Sequence, residues 1–153
     1  AVLVQRPDLF GAIVCNVPLL DMLRYQNFSI ARLWIPEYGT AEDPEQFKFL
    51  YAYSPYHHIV TGTKYPATLL TTATNDSRVD PMHARKMAAA LQAATSSDAP
   101  ILLWVETDAG HGAGKPLSGY IAQQVDYWTF FMWQLGMIKE LPATQPAATQ
   151  PTK

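Results

Sequence analysis

Three short runs, AIVCNVP (12–18), PATLLTTAT (66–74) and PILLWVE (100–106), are apolar and β-branched without strict polar alternation. Such runs predict strands buried on both faces, the pattern of a parallel sheet. Between them the apolar positions recur at helical spacing. This predicts helical segments over 19–35, stopped by Pro36, and from about Pro44, then over 81–95 and 118–135. Asp43-Pro44 and Asp80-Pro81 are helix starts, because an aspartate caps free N–H groups and proline suits the first turn. Gly136 sits just past the last apolar face, where a C-terminal cap is expected. Strand alternating with helix gives an α/β architecture built on a parallel sheet. Three strands alone make a thin sheet with an exposed edge, so further strands upstream are expected.

Both ends of the chain depart from this pattern. AVLVQRPDLF has no initiator Met, basic segment or small-residue cleavage site, so it is not a signal peptide. It resembles the tail of a helix running into RPDLF, as expected of a piece cut from a longer protein. From Leu141 onward, LPATQPAATQPTK is rich in Pro, Ala, Thr and Gln, and predicts a disordered tail over 141–153 after one domain over 1–140.

Composition removes several function classes. The chain has 153 residues, 48% of them hydrophobic, with 11 basic and 13 acidic side chains and a net charge of −2. That balance offers no basic footprint for nucleic acid and no basic stripe for a membrane surface. No apolar run approaches the ~20 residues that span a bilayer. The single cysteine, Cys15, excludes an internal disulfide framework, leaves the compartment open, and reads as a small buried hydrophobe within the first strand.

Candidate chemistry collects where a parallel sheet places it, in the loops leaving the carboxyl ends of strands. Asp76 follows the second strand, and His111, in TDAGHGAGKP, follows the third. One helix and one strand separate them, so the two loops lie side by side. Carboxylate then histidine, in that order, is the later part of the Ser…Asp…His order of α/β-hydrolases. The flanking glycines let the backbone turn sharply and turn His111 toward a cleft. Asp80 and Asp108 are rivals to Asp76, but Asp80 reads as a helix cap and Asp108 shares the histidine's own loop. His83, inside a helix, reads as a surface residue. His57 and His58 are adjacent, so their side chains diverge, and no third ligand has suitable spacing for a metal. The nucleophile is missing: Ser29, Ser54, Ser77, Ser96, Ser97 and Ser118 all lie outside a G-x-S-x-G setting. Either the chain is not catalytic, or its serine lies before Ala1.

Five separated motifs carry a family resemblance: QRPDLFGAIVCNVPLLDMLRY, WIPEYG, YAYSPYHHI, TNDSRVDPMHARKM and AGHGAGKP. Together, over about residues 1–136, they resemble the carboxyl-terminal part of a bacterial prolyl oligopeptidase. That family consists of serine peptidases with an α/β-hydrolase catalytic domain and a β-propeller. The resemblance implies a GGSNGG serine elbow just upstream of Ala1, with no metal or cofactor. It implies that Asp76 is the triad aspartate and His111 the triad histidine, and that Arg78 binds a substrate backbone carbonyl. It also implies that Trp34 stacks on the substrate proline, with Tyr38, Leu19, Ile30 and Val79 around it. Ser77 stands where many relatives have a second acid, the second histidine of SPYHHI replaces a common asparagine, and the Pro/Thr tail is not a family feature.

The expected whole protein is an endopeptidase cleaving short peptides after proline, its upstream propeller limiting substrate size. Without the serine, the chain alone is expected to be inactive. The alternatives are a related esterase, which would not need Arg78 and Trp34 together, and a stand-alone binding module without catalysis.

Overall fold

The computed structural model describes residues 1–107, 109–112 and 115–138. The expected tail over 141–153 lies outside the described residues. A parallel sheet in the order β1-β2-β3 is formed by β1 (Ala12–Asn16), β2 (Ala67–Ala73) and β3 (Ile101–Glu106). All seven residues of β2 are buried, since the strand has a neighbour on each side and a helix on each face. This is why its sequence shows no polar alternation.

Alternate residues of the strands feed two cores. Leu70 and Ile101 pack with Ala84, Met87, Ala88 and Leu91 of helix α4 (Met82–Ala94). Leu69 and Ala67 point the other way, to Tyr127 and Phe130 of helix α5 (Leu117–Gln134). Helix α5 ends as its glycine requires: Gly136 takes φ +74°, its N–H donates to Trp133 O and the Met137 N–H donates to Met132 O. That pair of bonds satisfies carbonyls the last turn would leave open. At the other end, α1 (Val2–Gln5) is a single turn leading into a 3-10 turn over Pro7–Leu9. Cys15 is half-buried against the α4 core.

The helix expected over 19–35 does not form. The segment holds 3-10 turns at Tyr25–Asn27 and Ala31–Trp34, then the short helix α2 (Ile35–Tyr38). The Asp21 carboxylate accepts from the Leu23 and Arg24 N–H groups, at 3.1 and 3.2 Å, a local turn that competes with helix. Pro36 starts α2 rather than stopping a helix, because its missing N–H is harmless in a first turn. Apolar residues that looked like one helical face divide between two clusters. Leu20 joins the α4 core, whereas Met22, Tyr25 and Ala31 pack with Leu50 of α3 (Pro44–Tyr53) in a small separate cluster. Asp43 caps α3 as expected, accepting from Glu45 N and Gln46 N. Gly39 joins α2 to α3 at φ +93°, where an added Cβ would lie 2.8 Å from Gln46 Oε1. Only glycine fits that position without strain.

Candidate active site

Asp76 and His111 occupy the loops that leave the adjacent strands β2 and β3. Two backbone bonds hold those loops together, Thr74 N to Glu106 O at 2.8 Å and Asn75 N to Ala109 O at 3.1 Å. Across them, His111 Nδ1 lies 2.8 Å from Asp76 Oδ2 and 3.1 Å from Oδ1. A carboxylate only accepts, so Nδ1 carries a proton and donates, and Nε2 is the nitrogen left without a partner on Asp76. The Asp76 side chain is fully buried and that of His111 is 30% exposed, which leaves the ring reachable. Oδ1 of Asp76 also accepts from the backbone N–H groups of Arg78 and Val79, both at 2.9 Å. One carboxylate thus fixes both the imidazole and the chain that follows it. Of the rivals, Asp80 caps the start of α4 through Met82 N at 2.9 Å. Asp108 lies outside the described residues.

A second feature sits where that chain leads. Leu19, Trp34, Tyr38, Arg78 and Val79, which the family resemblance groups as substrate-binding, line one cavity of about 250 Å³, joined by Glu37. Ile30 does not line it and is 46% exposed. Trp34 reaches the cavity because the small cluster of Met22, Tyr25 and Leu50 supports its loop from behind. Tyr25 and Tyr38 meet edge to face with ring centres 5.7 Å apart, and the Tyr25 hydroxyl donates to Gly39 O. Burial raises the Tyr38 hydroxyl above its ordinary pKa, and the neighbouring Glu37 carboxylate adds to this. Glu37 gave no signal in the sequence, being one exposed acid among several in its region.

On the other side, His111 borders a polar cleft of about 170 Å³ with Asn16, Thr71, Trp104, Glu106 and Lys115. Lys115 pairs with Glu106. Among the described residues no serine hydroxyl is hydrogen-bonded to His111. Ser54 is buried and engaged elsewhere, accepting from Met22 N at 3.0 Å.

The remaining histidines are structural. His57 Nδ1 faces Ser54 Oγ at 2.8 Å and His58 Nε2 faces Tyr51 O at 2.6 Å. Among the described residues no group of three potential ligands could hold a metal ion. His83 corrects the sequence reading. It is 1% exposed, not on the surface, and its Nδ1 accepts from the Asp21 N–H at 3.1 Å. Burial lowers its pKa to about 4, although Asp21 and Asp80 oppose this. Since the folded value lies below the ordinary 6.5, the folded state binds fewer protons between them. Stability from the neutral ring is therefore full above about pH 6.5 and is lost as pH falls toward about 4, by about 3 kcal/mol at most. Denaturant unfolding at the two pH values measures this loss. A His83→Asn variant should lack His83's share of it.

Comparison with known proteins agrees with this frame. The prolyl oligopeptidase family model matches residues 1–137. The prolyl endopeptidase of Elizabethkingia meningoseptica is 42% identical over 138 residues, which is 90% of this chain and 20% of that protein. A solved prolyl endopeptidase structure superposes with a TM-score of 0.82 at 53% identity, over 86% of this chain and 19% of its own. A post-proline cleaving enzyme from Rickettsia typhi gives a TM-score of 0.82 at 35% identity, over 88% of this chain and 19% of its own. The chain spans about one fifth of the length of these relatives. Its parallel sheet and flanking helices are those of an α/β-hydrolase domain, and the chain belongs to the prolyl oligopeptidase family of serine peptidases.

Proposed function

We propose that this chain supplies the acid–base and proline-binding half of an endopeptidase that cleaves peptides after proline. The observation carrying this reading is the shared carboxylate: Asp76 holds His111 chiefly through Oδ2 and, through Oδ1, the backbone of two residues that line the Trp34 cavity. In a polypeptide of the relatives' length, a serine from the upstream part of the domain attacks the prolyl carbonyl. Nε2 of His111 takes the serine proton and then gives it to the leaving amine. Asp76 keeps the imidazole in the competent tautomer and stabilises the imidazolium. The Trp34 indole offers a flat apolar face to the rigid pyrrolidine ring. Arg78 reaches a substrate carbonyl with an always-charged planar fork. Neither a metal nor a cofactor has a step in this chemistry. The substrates are short proline-containing peptides, with a β-propeller from the same polypeptide as the partner domain.

By itself the chain has His111 and Asp76 but no elbow serine, and is expected to be inactive. A serine-directed fluorophosphonate tests this by intact mass. The folded chain alone should take no adduct, and a chain extended upstream through the serine elbow should take one equivalent. An adduct on the chain alone would show that one of its own serines is activated, and the upstream-nucleophile account would fall.

A further inference from the structure

The two walls of the Trp34 cavity come from distant parts of the chain. Leu19 belongs to the loop after β1, whereas Arg78 and Val79 belong to the turn that opens α4. Two side chains on α4, the buried His83 and the half-buried Lys86, tie these walls together. His83 Nδ1 faces the Asp21 N–H at 3.1 Å and the Leu20 N–H at 3.5 Å, immediately after Leu19. One turn further along, Lys86 Nζ donates to Asp21 Oδ2 at 2.5 Å and lies 3.8 Å from the centre of the Tyr56 ring. Burial alone would raise the Asp21 carboxyl, but Lys86 and Arg24 hold it below the usual carboxylate range. The Phe28 ring meets His83 edge-on from the segment that leads to Trp34.

The geometry points to His83 as a positioning residue for proline recognition: its ring nitrogen fixes the Leu19 wall against the Arg78–Val79 wall and so sets the width of the cavity. This rests on the function proposed above. An interior imidazole is well suited to the task. It accepts from a backbone N–H that has no alternative partner in the loop, and it brings no permanent charge into the core. The Lys86–Asp21 pair alone cannot set the width, because a lysine stem is long and rotatable whereas the histidine ring is rigid. Loss of the acceptor should therefore loosen substrate binding and leave the distant proton transfer intact.

The test uses the whole enzyme, with the upstream part of the domain present, and a chromogenic peptide carrying proline before the scissile bond. His83→Leu keeps bulk but removes the acceptor, and should raise KM about tenfold while kcat stays within about threefold. His83→Asn places Oδ1 where Nδ1 stood and should restore KM to within about threefold. Fluorophosphonate labelling, which needs no proline pocket, should run at the wild-type rate in both variants. Wild-type KM in His83→Leu, or an equal fall in kcat and labelling rate, overturns the inference. Should His83→Leu fail to fold, His83→Asn against His83→Gln decides it. The glutamine moves the acceptor outward by one bond and should raise KM, and equal KM values overturn the inference. Absence of any proline-directed turnover by the wild-type enzyme overturns the function and this inference with it.

Discussion

Replacing Asp76 by asparagine in the whole enzyme should lower kcat about 10⁴-fold with little change in KM. The reason lies in which oxygen each donor uses. Oδ1 takes both backbone N–H groups, from Arg78 and Val79, so an asparagine at this position must keep its carbonyl there. Its NH₂ group then replaces Oδ2, 2.8 Å from His111 Nδ1, and donates where the carboxylate accepted. That turns Nδ1 into an acceptor and moves the ring proton to Nε2, the atom proposed above as the base. The walls of the cavity keep their anchor, and KM is spared. Asp76→Ala removes the anchor as well, and should raise KM in addition to lowering kcat. Steady-state kinetics on a proline peptide reads both. A loss below about tenfold in the asparagine variant would mean that another group holds the imidazole.

Trp34→Ala should reduce kcat/KM on proline peptides by about 10²-fold, the equivalent of about 3 kcal/mol of aromatic contact. Labelling by the fluorophosphonate, and turnover of a small ester, should stay within about threefold, because neither needs the stacking surface. Trp34→Phe keeps a flat face and should fall between the two. Trp34 is also packed against the Met22–Tyr25–Leu50 cluster, so unfolding midpoints must be compared alongside the kinetics. Equal losses on ester and peptide would remove the proline pocket and favour the esterase reading.

The sheet was legible because its strands are apolar runs without polar alternation, yet burial on both faces holds only for β2: β1 is half-buried and β3 leaves Leu102 and Leu103 exposed. The pairing of Asp76 with His111 was legible for a related reason. Parallel order brings successive strand ends to one edge, and residues far apart in sequence meet there without any local signal. The segment 19–35 was not legible. Its apolar spacing matches a helix, but Asp21 captures the backbone donors of its own turn, and the apolar side chains divide between two cores. His83 was misread for want of its partner, since the N–H it accepts from lies 62 residues upstream. Composition and spacing within α4 show an imidazole on a helix and nothing of what waits across from it. Ile30 resembled a pocket residue by position but is turned outward by a chain that reverses at Ser29, where φ is +49°.

Asp76 grips Arg78 and Val79 by their amide N–H groups and not by their side chains. Every amino acid except proline carries that N–H. Changes of side chain at 78 and 79, in a library or over evolutionary time, should therefore alter substrate contacts while the frame beneath them stays in register with His111. New specificities should accumulate at these two positions without loss of the proton-transfer apparatus, and proline should be the one residue never recovered there.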